Sequence, residues 1–201
     1  MQFWIFFEPG VGGDGFANLL EHANNIVSAD GEQNWRIHYN HGAVKFYGAK
    51  WTTDPIPFRQ PDADTTQVVI NPQYVDVVNQ KQNTVLCAHP TAYRVQINQS
   101  PFKDLVQTDQ LKIHVYSQDF DRVASDLIAK IPGVKIAPDW HSGMQNKVSN
   151  ELSRTDYAIH IDIEKVWKDW GYLVNCLTAI GIDLDKSHYT EYLNIIDRHP
   201  Q

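Results

Sequence analysis

Positive charge is the first thing this sequence has little of: 17 Lys and Arg stand against 24 Asp and Glu, a formal net charge of −7. Binding to nucleic acid or an acidic membrane needs clustered cations that displace counterions from phosphate, so no general affinity for either is expected; only a local basic pocket stays open. Cysteine is also scarce. Cys87 and Cys176 have no metal-type spacing and read as buried thiols of a reducing compartment. No apolar run approaches the ~20 residues of a bilayer span. The N-terminal run lacks basic residues and is interrupted at Glu8-Pro9, so it reads as a first strand rather than a signal peptide. Internal repeats and low-complexity tracts are absent. A cytoplasmic protein is expected. At 201 residues, 42% of them hydrophobic, the chain can bury one sizeable core, and residues 1–201 are read as a single domain.

What is there begins with Phe3-Trp4-Ile5-Phe6-Phe7, a glycine-dense loop, and then Phe16, Leu19, Leu20, Ala23 and Ile26 at the spacing of a buried helical stripe. This reads as strand, loop, helix. Gly10, Gly12, Gly13 and Gly15 let the backbone turn its amides inward, and the helix aims its positive end at the same place. Proteins cradle phosphate or sulfate in this way without side chains. The spacing from Gly10 to Gly15 is that of a P-loop, but Phe16-Ala17 stands where Lys-Ser/Thr would complete it. A tight turn and nothing more is the competing reading.

Further along, residues 35–39 and 44–47 are candidate short strands, 52–64 with Pro55, Pro57 and Pro61 a surface loop, 68–72 a short strand and 72–78 a short helix. The second half has a clearer beat. Thr84–Ala88 is a continuous apolar run ending at His89-Pro90, as a buried parallel strand would. Leu111–Tyr116 is a strand opening into a helix from Arg122 to Ile131, with Val123, Ala124, Leu127, Ile128 and Ile131 on its apolar face. Ile159–Ile163 is another strand. A helix from Trp167 to Ile180 is stopped by Gly181, and a last helix lies near Ser187–Arg198. Alternating strands and helices predict a three-layer α/β/α fold with a mostly parallel sheet. In such sheets ligands bind at the carboxyl ends of the strands, so Gly10, His89 and Ser117 are expected at one edge.

These strand ends, in this order, resemble the sulfotransferase family, whose P-loop-type fold binds 3′-phosphoadenosine 5′-phosphosulfate. Pro9-Gly10-Val11-Gly12-Gly13 stands where the family has Pro-Lys/Arg-Ser-Gly-Thr. Cys87-Ala88-His89-Pro90 resembles its Thr-His-x-Pro. The stretch from Tyr116 to Ser125 fits its Arg-Asp-Pro-Arg-Asp-x-x-x-Ser, with Asp121 and Ser125 matching. Ile161–Val166 and Ala179-Ile180-Gly181-Ile182 resemble its closing elements. The resemblance covers most of the chain except roughly residues 27–83. It implies transfer of a sulfuryl group from that donor to a hydroxyl or amine of a small molecule or glycan. His89 would be the general base, and the donor would lie against Gly10, Gly12, Gly13, Asp14, Gly15, Phe16, Ser117 and Ser125, with no metal. The departures are as clear. The family's loop cation is Gly10 here, its 3′-phosphate Arg is Ser117, and Asp14 adds a negative charge. Charge-assisted hydrogen bonds are worth ~1.5–3 kcal/mol each, so two lost cations cost roughly two to four decades of affinity unless replaced. Arg122, Arg94, Arg59, Lys45 and Lys50 are the candidates to reach in.

Each residue also has a plainer reading. His89 can cap a strand, Ser125 can permit helix packing, and Arg122 can be a solvated or ion-paired side chain. The pairs His38/His41 and His160/Asp162 come nearest to metal-ligand spacing without matching a strong pattern. Trp35, Trp51, Trp140, Trp167 and Trp170 are core residues first and stacking platforms second. The second function class is therefore a non-catalytic binding or structural module on the same fold, acting as a homo-oligomer or as part of an assembly such as a virion.

Overall fold

A computed structural model of the chain describes residues 2–23, 35–40, 43–48, 56–57, 84–90, 111–131 and 133–198. Among these the protein is α/β, with an open, mostly parallel sheet and six helices. The strands are β1 (Gln2–Phe6), β2 (Trp35–Asn40), β3 (Ala43–Gly48), β4 (Ile56–Pro57), β5 (Thr84–Ala88), β6 (Leu111–Tyr116) and β7 (Ile159–Asp162). They lie in the order β4-β3-β2-β5-β1-β6-β7. The pairs β2–β5, β5–β1, β1–β6 and β6–β7 are parallel, whereas β2–β3 and β3–β4 are antiparallel.

β1 is central for a compositional reason. Phe3 to Phe7 are all buried, which suits a strand covered on both faces. Phe6 sits beside Ala88 on one side and His114 on the other. The chain passes from β1 to one side of the sheet and crosses back for β6. The loop after β1 therefore opens where strand order reverses, the place where such sheets leave a crevice.

Helix α1 (Gly13–Leu20) buries Phe16, Ala17, Leu19 and Leu20, and Ala23 just beyond it is buried too, as the stripe predicts; Ile26 lies outside the described residues. Helix α2 (Phe120–Lys130) begins two residues before the expected start, because the Asp119 side chain accepts the Arg122 N–H as an N-cap. Its apolar face is also narrower than expected. Val123, Ala124 and Leu127 are buried, but Ile128 and Ile131 are 54% and 47% exposed and do not extend it.

Helix α3 (Trp140–Leu152) has no counterpart in the sequence reading. It buries only Met144, Val148 and Glu151, a stripe one residue wide that leaves most of its surface polar. The helix expected from Trp167 to Ile180 forms as α5 (Trp170–Ala179), starting three residues later because the Asp169 side chain caps the Tyr172 N–H. Before it, a short helix α4 (Ile163–Val166) begins at the last residue of the expected strand, since the Asp162 side chain accepts the Glu164 N–H. Gly181 ends α5 at φ 75°, and α6 (Lys186–Arg198) follows. The prolines of residues 52–64 do not make the whole segment a loop, since Ile56–Pro57 pairs with β3; the strand and helix expected over 68–78 lie outside the described residues. Cys87 is buried and Cys176 half-buried, both free thiols.

α6 returns to α1. Tyr192, fully buried, accepts a hydrogen bond from the Trp167 indole at 2.9 Å, and the Tyr189 hydroxyl donates to the Val166 carbonyl at 2.7 Å. His22, after α1, stacks on His188 of α6 with ring centroids 5.1 Å apart. Burial, and then the charge of His188, lower the His22 pKa from 6.5, against a smaller opposing pull from Glu191. The unfolded chain then binds more protons than the native one as pH falls below 6.5.

Two outcomes follow. The His22 contribution is present above pH 6.5 and is lost as pH falls through the lowered native value. Urea midpoints taken from neutral to mildly acidic pH should therefore fall less steeply in His22→Asn than in the parent. Equal slopes would remove His22 from that account. The second concerns glycines. A Cβ on Gly13 would run into the Phe7 ring, whereas one on Gly143 of α3 meets nothing within 4 Å. Gly13→Ala should destabilise by about 1–3 kcal/mol or more through overpacking, and Gly143→Ala should stabilise by about 0.5–1 kcal/mol through helix propensity. Paired chemical-denaturation curves read both signs.

Candidate functional site

The turn after β1 is made by two glycines that side-chain-bearing residues could not replace without strain. Gly10 and Gly12 have φ of 82° and 96°, in the left-handed region. Both are also packed. A Cβ at Gly10 would come 2.8 Å from the Val123 carbonyl, and one at Gly12 would come 3.0 Å from the Trp167 ring. Gly15, in the first turn of α1, faces Tyr192. The four glycines thus admit α2, Trp167, Phe7 and Tyr192 to the loop. Close packing by protein explains each of them.

Sheet order sets the strand ends side by side. β5, β1 and β6 are parallel neighbours, so His89, the Gly10–Gly15 loop and Ser117 follow the carboxyl ends of adjacent strands. His89 is buried, and its Nδ1 lies 2.7 Å from the Phe7 carbonyl oxygen, with its ring edge-on to that of Phe7. A carbonyl can only accept, so Nδ1 carries the proton and, in the neutral ring, Nε2 carries the lone pair. That tautomer fits a base and fits a strand-end tie equally well.

Among the described residues, Arg122 is a cation that reaches the loop. Its donors go to carbonyls rather than leaving the loop electropositive: Nη1 to Gly10 O and Nη2 to Val11 O, each at 3.4 Å. Two carboxylates neutralise it, with Nε to Glu164 Oε1 at 2.7 Å and Nη1 to Asp126 Oδ2 at 2.6 Å. The Trp167 ring stacks on the guanidinium at 4.5 Å. Arg122, Asp126 and Glu164 are 14%, 10% and 20% exposed, so water screens these pairs only in part. The plainer reading of Arg122, an ion-paired side chain, describes it.

The other expected donor contacts are distributed as follows. Ser117 is completely buried; its hydroxyl donates to Glu164 Oε1 at 2.7 Å and accepts the Asp119 N–H at 3.0 Å. Ser125 is on the exposed side of α2, bonded to the carbonyl of Asp121 one turn back at 2.9 Å. Phe16 is fully buried in the core. Asp14 lies in the first turn of α1, where its charge complements the helix dipole. Glu8, buried at the end of β1, has Oε2 3.6 Å from Lys147 of α3. Carboxylates therefore outnumber cations around the loop among the described residues. Lys50, Arg59 and Arg94 lie outside those residues, and Lys45 of β3 has no described side chain.

Glu164, Asp126 and Trp167 were not singled out from sequence as part of this cluster. The i,i+4 spacing of Arg122 and Asp126 was a signal for one of them. Glu164 and Trp167 had none, since they meet Arg122 only through the β6–β7 pairing. Of the metal-type pairs, His160 faces His114 across that pairing, Nδ1 to Nδ1 at 3.0 Å, and His38 and His41 have no described side chains. No group of three or more His, Cys, Asp or Glu suited to a metal occurs among the described residues. Nor is any helix among them long and apolar enough to cross a membrane.

Compared with protein-family models, with curated proteins and with solved structures, the chain finds no match in any of the three.

Proposed function

We propose that this chain is a sulfotransferase-like, P-loop-type α/β protein that serves as a non-catalytic binding or structural module. The fold part of the reading rests on strand order. Counted along the chain, the five parallel strands lie second, third, first, fourth, fifth, with the glycine loop leaving the central first strand. The three-layer arrangement and the single domain belong to the same proposal. The functional part rests on one observation. Arg122, which reaches the loop, gives four of its five N–H donors to loop carbonyls and to Asp126 and Glu164, so its charge is already matched before any phosphosulfate arrives. A polyanionic donor would have to separate these pairs and approach Glu164 where the family has its 3′-phosphate. Its partners would be other proteins or further copies of itself, in the cytoplasm or in a virion.

The transferase reading keeps one supporting observation, the His89 tautomer. With Nδ1–H held by the Phe7 carbonyl, a neutral ring carries its lone pair on Nε2, the atom from which a general base would act. In that reading 3′-phosphoadenosine 5′-phosphosulfate is the donor, the amides of Gly12, Gly13 and Gly15 carry the charge stabilisation, and a small molecule or glycan is the acceptor.

Thermal melting with 3′-phosphoadenosine 5′-phosphate separates the two. A ligand that binds only the native state must raise the midpoint. The module reading predicts no saturable rise at about 1 mM nucleotide. A saturable rise that is lost in Ser117→Ala, with that variant folded, would overturn the module reading and leave the transferase reading as the one that fits, with sulfuryl transfer lost in His89→Ala as its further requirement.

A further inference from the structure

We propose that Ser117 and Arg122 form an oxyanion site of the phosphate-binding kind, and that Glu164 fills it from within the chain. The inference rests on reading these strand ends as a phosphate-type site and deepens it by naming what closes the site.

One oxygen carries the argument. Glu164 Oε1 accepts from the Ser117 hydroxyl and from Arg122 Nε, both at 2.7 Å. A guanidinium N–H and a hydroxyl converging on one anionic oxygen is the donor set that holds a phosphate oxygen. The Ser117 hydroxyl has a single proton. Because its oxygen already accepts the Asp119 N–H, that proton is directed at Glu164.

The receiving groups are the fixed ones. Ser117 is fully buried at the end of β6, and Arg122 is held by Asp126, two carbonyls and the face of Trp167. The occupant is the least enclosed member of the cluster. Glu164 is 20% exposed and rides on α4, a helix of four residues. Rotation of its side chain toward solvent would leave donors that other contacts hold.

Charge explains why the occupant matters. Arg122 faces Asp126 and Glu164 together, so the cluster carries one positive and two negative charges. Phosphate meets net repulsion until Glu164 leaves. Without Glu164 the two remaining charges balance, and the Arg122 Nε and Ser117 donors are left for an external anion.

Inorganic phosphate is the probe, set against chloride at matched ionic strength, with the full chain and its variants followed by thermal melting. Glu164→Ala should lose stability in chloride and regain it saturably in phosphate, with at least about tenfold tighter apparent binding than the parent, a change of about 1.4 kcal/mol. Ser117→Ala on that background should lower the phosphate response. Glu164→Gln, which keeps the shape while removing the charge, provides the comparison if the alanine variant does not fold, and should also bind phosphate more tightly than the parent. A phosphate response in Glu164→Ala or Glu164→Gln equal to the parent's would overturn the proposal, as would a response indifferent to Ser117. Nucleotide binding by the parent is a separate readout, so failure of one leaves the other standing.

Discussion

The guanidinium of Arg122 joins parts of the chain that are far apart in sequence. It ties the turn after β1 through two carbonyls, its own helix through Asp126, and α4 through Glu164, and its flat face is covered by Trp167. Through Glu164 it also reaches Ser117 at the end of β6. A lysine has neither the planar fork nor enough directed donors for this arrangement. Removing the cation would leave two partly buried carboxylates without their shared partner, and breaking a buried pair costs more than the pair contributes. The loop geometry thus depends on a charge cluster, and the cluster depends on the sheet bringing the ends of β1, β6 and β7 together.

This dependence changes what the glycines mean. Four small residues after a strand are the raw material of an anion cradle, and they are equally the raw material of a turn that must admit bulky neighbours. Here Phe7, Val123, Trp167 and Tyr192 stand against the four positions where a Cβ would be. The helix amides still point their positive end toward the turn, but the cation beside it is already matched by carboxylates. The donors of Ser117 and Arg122 meet a carboxylate of the chain itself, Glu164.

Much of the architecture was legible in the sequence because it followed from strong local patterns. Thr84–Ala88 is a continuous apolar run and Leu111–Tyr116 alternates Leu, Ile and Val with Lys, His and Tyr, both patterns of strand length, and both form with the expected ends. Helix α1 followed from its stripe. Helix α3 was not legible, because burying Met144 and Val148 on an otherwise polar helix gives a pattern barely distinct from a loop. Ile128 and Ile131 misled for the opposite reason, since their apolar side chains are exposed. The site was less legible than the fold. Gly10, His89 and Ser117 could be placed at adjacent strand ends by topology alone. What occupies Ser117 could not, because Glu164 lies 47 residues away and meets it only after β6 and β7 pair.

A double-mutant cycle between Arg122 and Glu164 is the most direct test of the claim that the strand ends are held by this cluster. Unfolding free energies of the parent, Arg122→Met, Glu164→Gln and the double variant give the coupling. The account predicts that each single change is costly and that the double variant is more stable than their sum implies, with a coupling of at least about 1 kcal/mol. Additivity within about 0.5 kcal/mol would contradict it.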